Sequence, residues 1–328
     1  MNDKKIEVNL VYSPATRPPH KVFENQLGSV WHSKTYDPSK INVGMGWYSI
    51  KDPKPQDSIL VVEPYCVLQR DYDVGFIKKF KYIFTWATNA ITHGNVAGKV
   101  VPINHPTYHQ IPNLKRCSDK WLPWNKRNDE IVIIANNKSS KHHSELYSLR
   151  VYLADVLDAF SPYKVSWYGQ MPLKRPYYRG VAQNKKDILN RVKFSICTEN
   201  SYDPKYTHNY FTEKMPDVWA AGAIPIYMGC YNIDDMGKLG GCYIDLRPLV
   251  EKHKQSWRVN KQALNDKIVS INEEQYKKYV ERLHTNIDGA GILERYHSYN
   301  RVYNKIISTF YKEAQGHQKR QLGIRKKS

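Results

Sequence analysis

An alternation of short apolar runs with helical stretches in the second half of the chain constrains the fold most. The runs are "IVIIAN" (131–136), "YKVSWYG" (163–169), "KFSICTEN" (193–200) and "AIPIYMG" (223–229). Between them stand "SELYSLRVYLADVLDAF", "KKDILNRV" and "DVWAAG". A strand buried on both faces reads as a continuous apolar run, and two parallel strands need a crossover, usually a helix. The repeated pattern therefore predicts an α/β domain with a doubly wound parallel sheet. In the first of these helices Leu146, Leu149, Leu153, Val156 and Leu157 share one face, the stripe that packs on a sheet.

The first half carries a weaker form of the same signal. Residues 6–12 alternate as a strand and stop at Ser13 and Pro14. Residues 16–57, rich in Pro, Gly, Lys and Tyr, read as loops with short elements. Residues 59–62 form a buried strand, 74–80 a short helix, and "KYIFTWAT" another strand. Residues 113–130 have many charges and no period, and read as a linker. Two helical patterns close the chain, the second with Tyr299, Val302, Ile306 and Phe310 on one side, before a basic tail. The expected division is a domain over 1–125, a Rossmann-like domain over 126–296, and a C-terminal helix with its tail over 297–328. No internal repeat at the period of a known array is visible.

Composition narrows the partners. A chain of 328 residues has room for two domains, and its net charge of +19 favours phosphate-bearing partners without choosing among them. There are 25 tyrosines against 8 phenylalanines, which suits wet, amphipathic clefts or reflects a bias of the source genome. The five cysteines, Cys66, Cys117, Cys197, Cys230 and Cys242, show neither a CxxC pair nor zinc spacing, as expected of reduced thiols. The start of the chain has no signal-peptide pattern, and no apolar run is long enough to span a bilayer. A complete chain of this kind is expected to be cytoplasmic, with peripheral membrane contact through the tail as an added reading.

Residues 199–229, "ENSYDPKYTHNYFTEKMPDVWAAGAIPIYMG", gather polar chemistry just past the end of a strand. Ligands of open α/β sheets bind outside such strand ends. Lys214 adds a positive charge at a helix start, Glu213 has two acceptor oxygens suited to vicinal hydroxyls, and Tyr210 offers a ring and a hydroxyl. Taken alone, Thr212 and Glu213 are equally well ordinary helix-start residues, with Lys214 solvated.

The whole string "FSICTENS…YFTEKMPDVWAAGAIPIYMG" closely resembles the donor-site signature of the α-1,3/4-fucosyltransferases (glycosyltransferase family 10), in a bacterial or viral form without a membrane anchor. The resemblance implies a GT-B architecture: two facing Rossmann-like domains with the active site in the cleft between them, the first on the acceptor side and the second holding GDP-fucose. It implies Asn200, Tyr210, Glu213 and Lys214 as donor ligands, Glu213 at the ribose and Lys214 at the pyrophosphate. It places Arg150 at the diphosphate, whereas chemistry alone would lay that stem along the helix with its head in water. It makes Glu63, after the buried run "ILVV", the general base. Such a strand-end carboxylate is otherwise simply solvated. Pro216 stands where the family has a large apolar residue, which moves the expected helix start toward Asp217, and "YDPKYTHN" is a long polar insertion.

The motif "DYD" (71–73) fits an Asp-x-Asp metal pattern but reads as a solvated turn, and His142 and His143 read as an exposed pair without a third ligand. No metal or cofactor is required beside Arg150 and Lys214, and a divalent ion is at most stimulatory. Lys319, Arg320, Arg325, Lys326 and Lys327 read either as a contact for anionic membrane or as a frayed terminus. The expected enzyme is an inverting glycosyltransferase moving L-fucose from GDP-fucose to O3 or O4 of a glycan acceptor containing N-acetylglucosamine or glucose. The alternatives are another nucleotide sugar on the same frame, or a basic nucleic-acid-binding protein stacking bases on tyrosines. No motif supports the last, so nucleic acid is not an expected partner.

Overall fold

The computed structural model describes residues 5–12, 22–91, 96, 99–108, 110–253 and 256–321, with side chains up to residue 316. The chain forms two compact units, residues 1–109 with 298–328, and residues 110–297.

The first unit is built on a seven-stranded sheet. Its strands are β1 (Ile6–Val11), β2 (Val22–Asn25), β3 (Gly28–Ser33), β4 (Ile41–Met45), β5 (Ser58–Leu60), β6 (Ile83–Thr85) and β7 (Val100–Pro102), in the order β2-β3-β1-β4-β5-β6-β7. All pairs are parallel except the β2–β3 hairpin at one edge. The C-terminal helix (Tyr299–Gln321) returns to this unit and sets Val302, Tyr303, Ile306, Ile307 and Phe310 among Val8, Leu10, Val30, Val43, Leu60 and Phe84. Its apolar residues therefore complete the core of the first unit.

Strands β2, β3 and β4 lie where loops were expected. In β4 the polar Asn42 is satisfied inside the sheet. Asn9 on β1 donates to Asn42 Oδ1 on β4 at 2.8 Å, and both are buried. Asn42 in turn donates to the carbonyls of Asp37 and Lys40. Buried polar groups with partners are tolerated in a sheet, but in a sequence they read as loop. Two single-turn helices, α1 (Val74–Ile77) and α2 (Thr88–Ile91), follow the strand ends. The strand expected over "KYIFTWAT" is β6 alone.

The second unit has a five-stranded, all-parallel sheet made of β8 (Asn128–Ile134), β9 (Lys164–Tyr168), β10 (Val192–Ile196), β11 (Ile224–Tyr227) and β12 (Ile244–Asp245). The order β12-β11-β10-β8-β9 is the doubly wound arrangement expected from the alternation. Its helices are α3 (Leu114–Ser118), α4 (Tyr147–Phe160), α5 (Lys185–Arg191), α6 (Lys214–Ala220), α7 (Lys261–Val269), α8 (Glu273–Arg282) and α9 (Ile292–His297). A hairpin of β13 (Val250–His253) and β14 (Ser256–Val259) follows the sheet. In α4 the stripe of Leu149, Leu153, Val156 and Leu157 is buried.

Residues 113–130 are structured and belong to this unit. Trp124 stacks on Tyr276 with ring centroids 5.0 Å apart. Arg127, 4% exposed, donates to the carbonyls of Leu122, Val192 and Ala221. The charges that made this segment look like a linker hide two anchors.

Candidate donor site

In a doubly wound sheet the crevice for a ligand opens at the carboxyl ends of the strands where the winding reverses. In the second unit that place lies between β8 and β10. A small cavity of about 30 Å³ sits there, lined by Ile134 and Ala135 from the end of β8, by Cys197 and Thr198 just past β10, and by Arg150, Lys185 and Lys214. It has room for a water or two, not for a nucleotide. Its interest is that it brings three cations from three helices to the end of one strand.

Each cation is held by its surroundings. Arg150 comes from the second turn of α4 and is 4% exposed. Its guanidinium donates to Thr198 Oγ1 at 2.9 Å, to the Thr198 carbonyl at 2.9 Å and to the Glu199 carbonyl at 2.7 Å. It also lies 5.3 Å from the centroid of the Tyr147 ring. Burial pushes its pKa below the usual range, and the nearby Tyr147 and Glu199 oppose that shift. The head is thus inside the unit, fastening the residues that follow β10, and not in water.

Lys214, the first residue of α6, donates to Glu199 Oε2 at 2.8 Å and to Thr212 Oγ1 at 2.9 Å. Burial works against its charge, but the carboxylates of Glu199 and Glu213 outweigh it and hold the ammonium above its ordinary pKa. Lys185 opens α5, whose cap Asn184 accepts the N–H groups of Lys186 and Asp187, and it pairs with Asp217 at 2.7 Å.

The carboxylate at the centre is Glu199, 0% exposed. It accepts the Thr212 N–H at 2.8 Å, the Thr212 hydroxyl, the Lys214 ammonium and, at 3.4 Å, the Tyr227 hydroxyl. Gly229 makes room for it, because a Cβ there would stand 2.1 Å from Glu199 Cγ. Sequence reasoning placed Glu199 at the strand end but gave it no role, and it did not single out Lys185. The clue for Lys185 was its place after a capping Asn at the start of a crossover helix.

The remaining expected donor residues gather in the same region. Asn200 follows Glu199 and donates from Nδ2 to the Tyr210 hydroxyl at 3.3 Å. Tyr210 is 1% exposed, so its hydroxyl is used inside the unit and its ring is covered. It is turned inward after Asn209, whose φ of 64° lies in the left-handed region that Asn tolerates. Asn209 is fixed there by two hydrogen bonds with Asn232. Glu213 is the most open of the group, its side chain 42% exposed and 3.8 Å from Lys214. Helix α6 begins at Lys214, and Pro216 falls in its first turn, where no N–H is needed.

Glu63 belongs to the first unit. It lies just past β5 and is half-buried. Val61 is still held to Phe84 on β6, and the Glu63 carbonyl accepts the Tyr72 hydroxyl at 3.0 Å. The two acids of "DYD" differ. Asp73 is exposed and caps α1 by accepting the Gly75 N–H, whereas Asp71 is 0% exposed, so the solvated-turn reading does not hold for it. His143 reaches Asp203 at 3.2 Å from an exposed position. Among the described residues no group of three or more His, Cys, Asp or Glu is placed to hold a metal ion, and no helix is long and apolar enough to cross a membrane. The basic residues Lys319, Arg320, Arg325, Lys326 and Lys327, and the membrane contact read from them, lie outside the described side chains.

No protein-family model matches the chain. No curated protein matches it in sequence. Solved structures do match in fold. An α1,3-fucosyltransferase is similar over 95% of this chain and 91% of its own, at 14% identity and a TM-score of 0.52. TarM is similar over 83% of this chain and 54% of its own, at 12% identity and a TM-score of 0.51. An α-glucosyltransferase, solved with UDP and a 13-mer DNA containing an HMU base, is similar over 84% of this chain and 79% of its own, at 10% identity and a TM-score of 0.50. The chain has the mixed α/β, GT-B fold of these glycosyltransferases.

Proposed function

We propose that the protein is a glycosyltransferase that moves L-fucose from GDP-fucose to a hydroxyl, O3 or O4, of a glycan acceptor containing N-acetylglucosamine or glucose. One observation carries the reading: Arg150, Lys185 and Lys214 surround the cavity at the winding reversal of the second sheet. Cations fixed before the reaction stabilise a leaving diphosphate without reorganising as its charge develops. In this reading the transfer of the sugar from its donor has its electrostatic requirement met by side chains.

In this reading Lys214 faces the diphosphate, the buried Arg150 adds its charge from behind the Thr198 and Glu199 carbonyls it holds, Glu213 takes the ribose hydroxyls through its open carboxylate, and Asn200 and Tyr210 shape the wall. Glu63 takes the proton from the acceptor hydroxyl as that oxygen attacks the anomeric carbon. The bond to GDP breaks as the new glycosidic bond forms, so a β-linked donor yields an α-linked fucose. The motif around Glu199 supports this donor, as does the fold.

The test pairs binding with turnover. GDP-fucose and GDP should raise the melting temperature, because a ligand of the native state stabilises by mass action. With an acceptor panel, free GDP should appear. Glu63→Ala should lower turnover by about 10²–10⁴-fold while sparing GDP affinity. Neither binding nor hydrolysis of GDP-fucose at millimolar concentration would remove the donor assignment. The UDP bound by the α-glucosyltransferase of similar fold is the reason to screen UDP-sugars beside it.

A further inference from the structure

One buried carboxyl in the first unit is left half-bonded. Asp71 lies on a single 3-10 turn (Gln69–Tyr72) and is 0% exposed. Its Oδ1 accepts the Trp47 N–H at 2.7 Å, and its Oδ2 has no hydrogen-bond partner among the described residues. The carboxyl is set against the 46–48 turn that follows β4. A Cβ on Gly46, whose φ is +74°, would stand 3.4 Å from Asp71 Oδ2 and 3.0 Å from the Tyr48 ring. That turn is tied to the next strand by the Gly46 N–H on the Leu60 carbonyl, three residues before Glu63. The 3-10 turn reaches Glu63 as well, through the Tyr72 hydroxyl on its carbonyl.

Among the described residues no cation answers the Asp71 carboxyl. Its neighbour Arg70 lays its guanidinium over the rings of Trp47, at 4.8 Å, and Phe76, at 4.7 Å. The other ionisable groups around it are Tyr48 on the 46–48 turn, Tyr72 beside it, and the Glu63 carboxylate, whose charge acts on it from the loop after β5. A carboxylate buried with one hydrogen bond and a like charge nearby keeps its proton instead. Burial raises its pKa to about 7, the Trp47 N–H opposes the rise, and Glu63 adds to it.

We propose that Asp71 is a positioning residue for Glu63: as a neutral acid it holds the 46–48 turn against the ends of β4 and β5, and on losing its proton to solvent its buried charge draws in water and loosens the turn, a desolvation cost that outweighs the tighter Trp47 bond. The proposal rests on Glu63 being the base of the transferase. It ties turnover to one proton held outside the reacting atoms. The native state binds that proton more tightly than the unfolded chain does. The stability it contributes is full below the unfolded value of 3.8 and is lost as pH rises through about 7.

Asp71→Asn tests this, because the amide still accepts the Trp47 N–H and never ionises. The wild-type melting temperature should fall, relative to the variant, as pH rises from about 4 to about 7. Release of GDP from GDP-fucose should fall several-fold in the wild type between about pH 6 and about pH 8.5, and stay within about twofold in the variant. In the wild type itself, the carbon-13 shift of the Asp71 carboxyl should titrate near neutrality, a readout that stands even if the variant does not fold. A carboxyl midpoint near the ordinary Asp value, or unfolding curves with the same pH dependence in both proteins, would overturn the proposal. So would rate profiles that run parallel. If the carboxyl titrates as expected but neither protein consumes GDP-fucose at any pH, the sugar-transfer reading fails, and the link to Glu63 fails with it.

Discussion

Glu199 in the second unit and Asp71 in the first are both 0% exposed, and both sit beyond a strand end of a parallel sheet. Their environments are opposite. Glu199 is met by the Thr212 N–H and hydroxyl, the Lys214 ammonium and the Tyr227 hydroxyl. Among the described residues Asp71 is met by one backbone N–H. The first arrangement surrounds a buried carboxyl with donors on several sides and makes it structural. The second makes the charge costly, and burial raises the pKa to about 7. Burial alone therefore does not tell what a carboxyl does; the number and sign of its partners decide.

The comparison breaks most readily at Glu199. Glu199→Ala removes the buried partner of the Lys214 ammonium, leaving only the Glu213 carboxylate at 3.8 Å, and should cost about 3–5 kcal/mol in urea unfolding. A loss below about 1 kcal/mol would mean that the network is solvated in solution and the contrast with Asp71 is false. Arg150→Ala comes next. It strips donors from the Thr198 and Glu199 carbonyls and should cost about 2–3 kcal/mol, and Arg150→Lys should recover only part of it, because an ammonium lacks the planar fork.

Gly229→Ala sharpens the same point from the packing side. The new methyl would overlap the Glu199 stem, so a loss of about 1–3 kcal/mol is expected, with Lys214 displaced in a crystal structure of the variant. The smallest effect on stability belongs to Lys185→Ala. Its pair with Asp217 is partly exposed, at 37% and 27%, and should contribute less than about 1 kcal/mol. On the proposed reading the same variant should weaken GDP binding by about tenfold by titration calorimetry, because one of the three cations around the cavity is lost. Unchanged GDP affinity would remove Lys185 from the site and leave it a surface ion pair.

The alternation of apolar runs and helical stripes was enough to read the second sheet, its winding and the burial face of α4, because buried parallel strands and amphipathic helices leave local periodic marks. The residues that crowd the end of β10 were also legible as a cluster, since they are near neighbours in the chain. What escaped were relations between distant residues. Strands β2 to β4 looked like loops because Asn9 and Asn42 satisfy each other only once the sheet has formed. Residues 113–130 looked like a linker because the acceptors of Arg127 come from as far away as Val192 and Ala221.

The amino-acid order by itself determined the α/β class and brought Glu199, Asn200, Glu213 and Lys214 to one strand end. Only the tertiary structure decided that Arg150 turns its head inward, that Glu199 is the answered charge among them, and that Asp71 is a buried acid and not a turn in water. The reason is physical. Periodicity records which face of a segment meets the core, but the state of a charge depends on donors, acceptors and solvent supplied by segments far away in sequence.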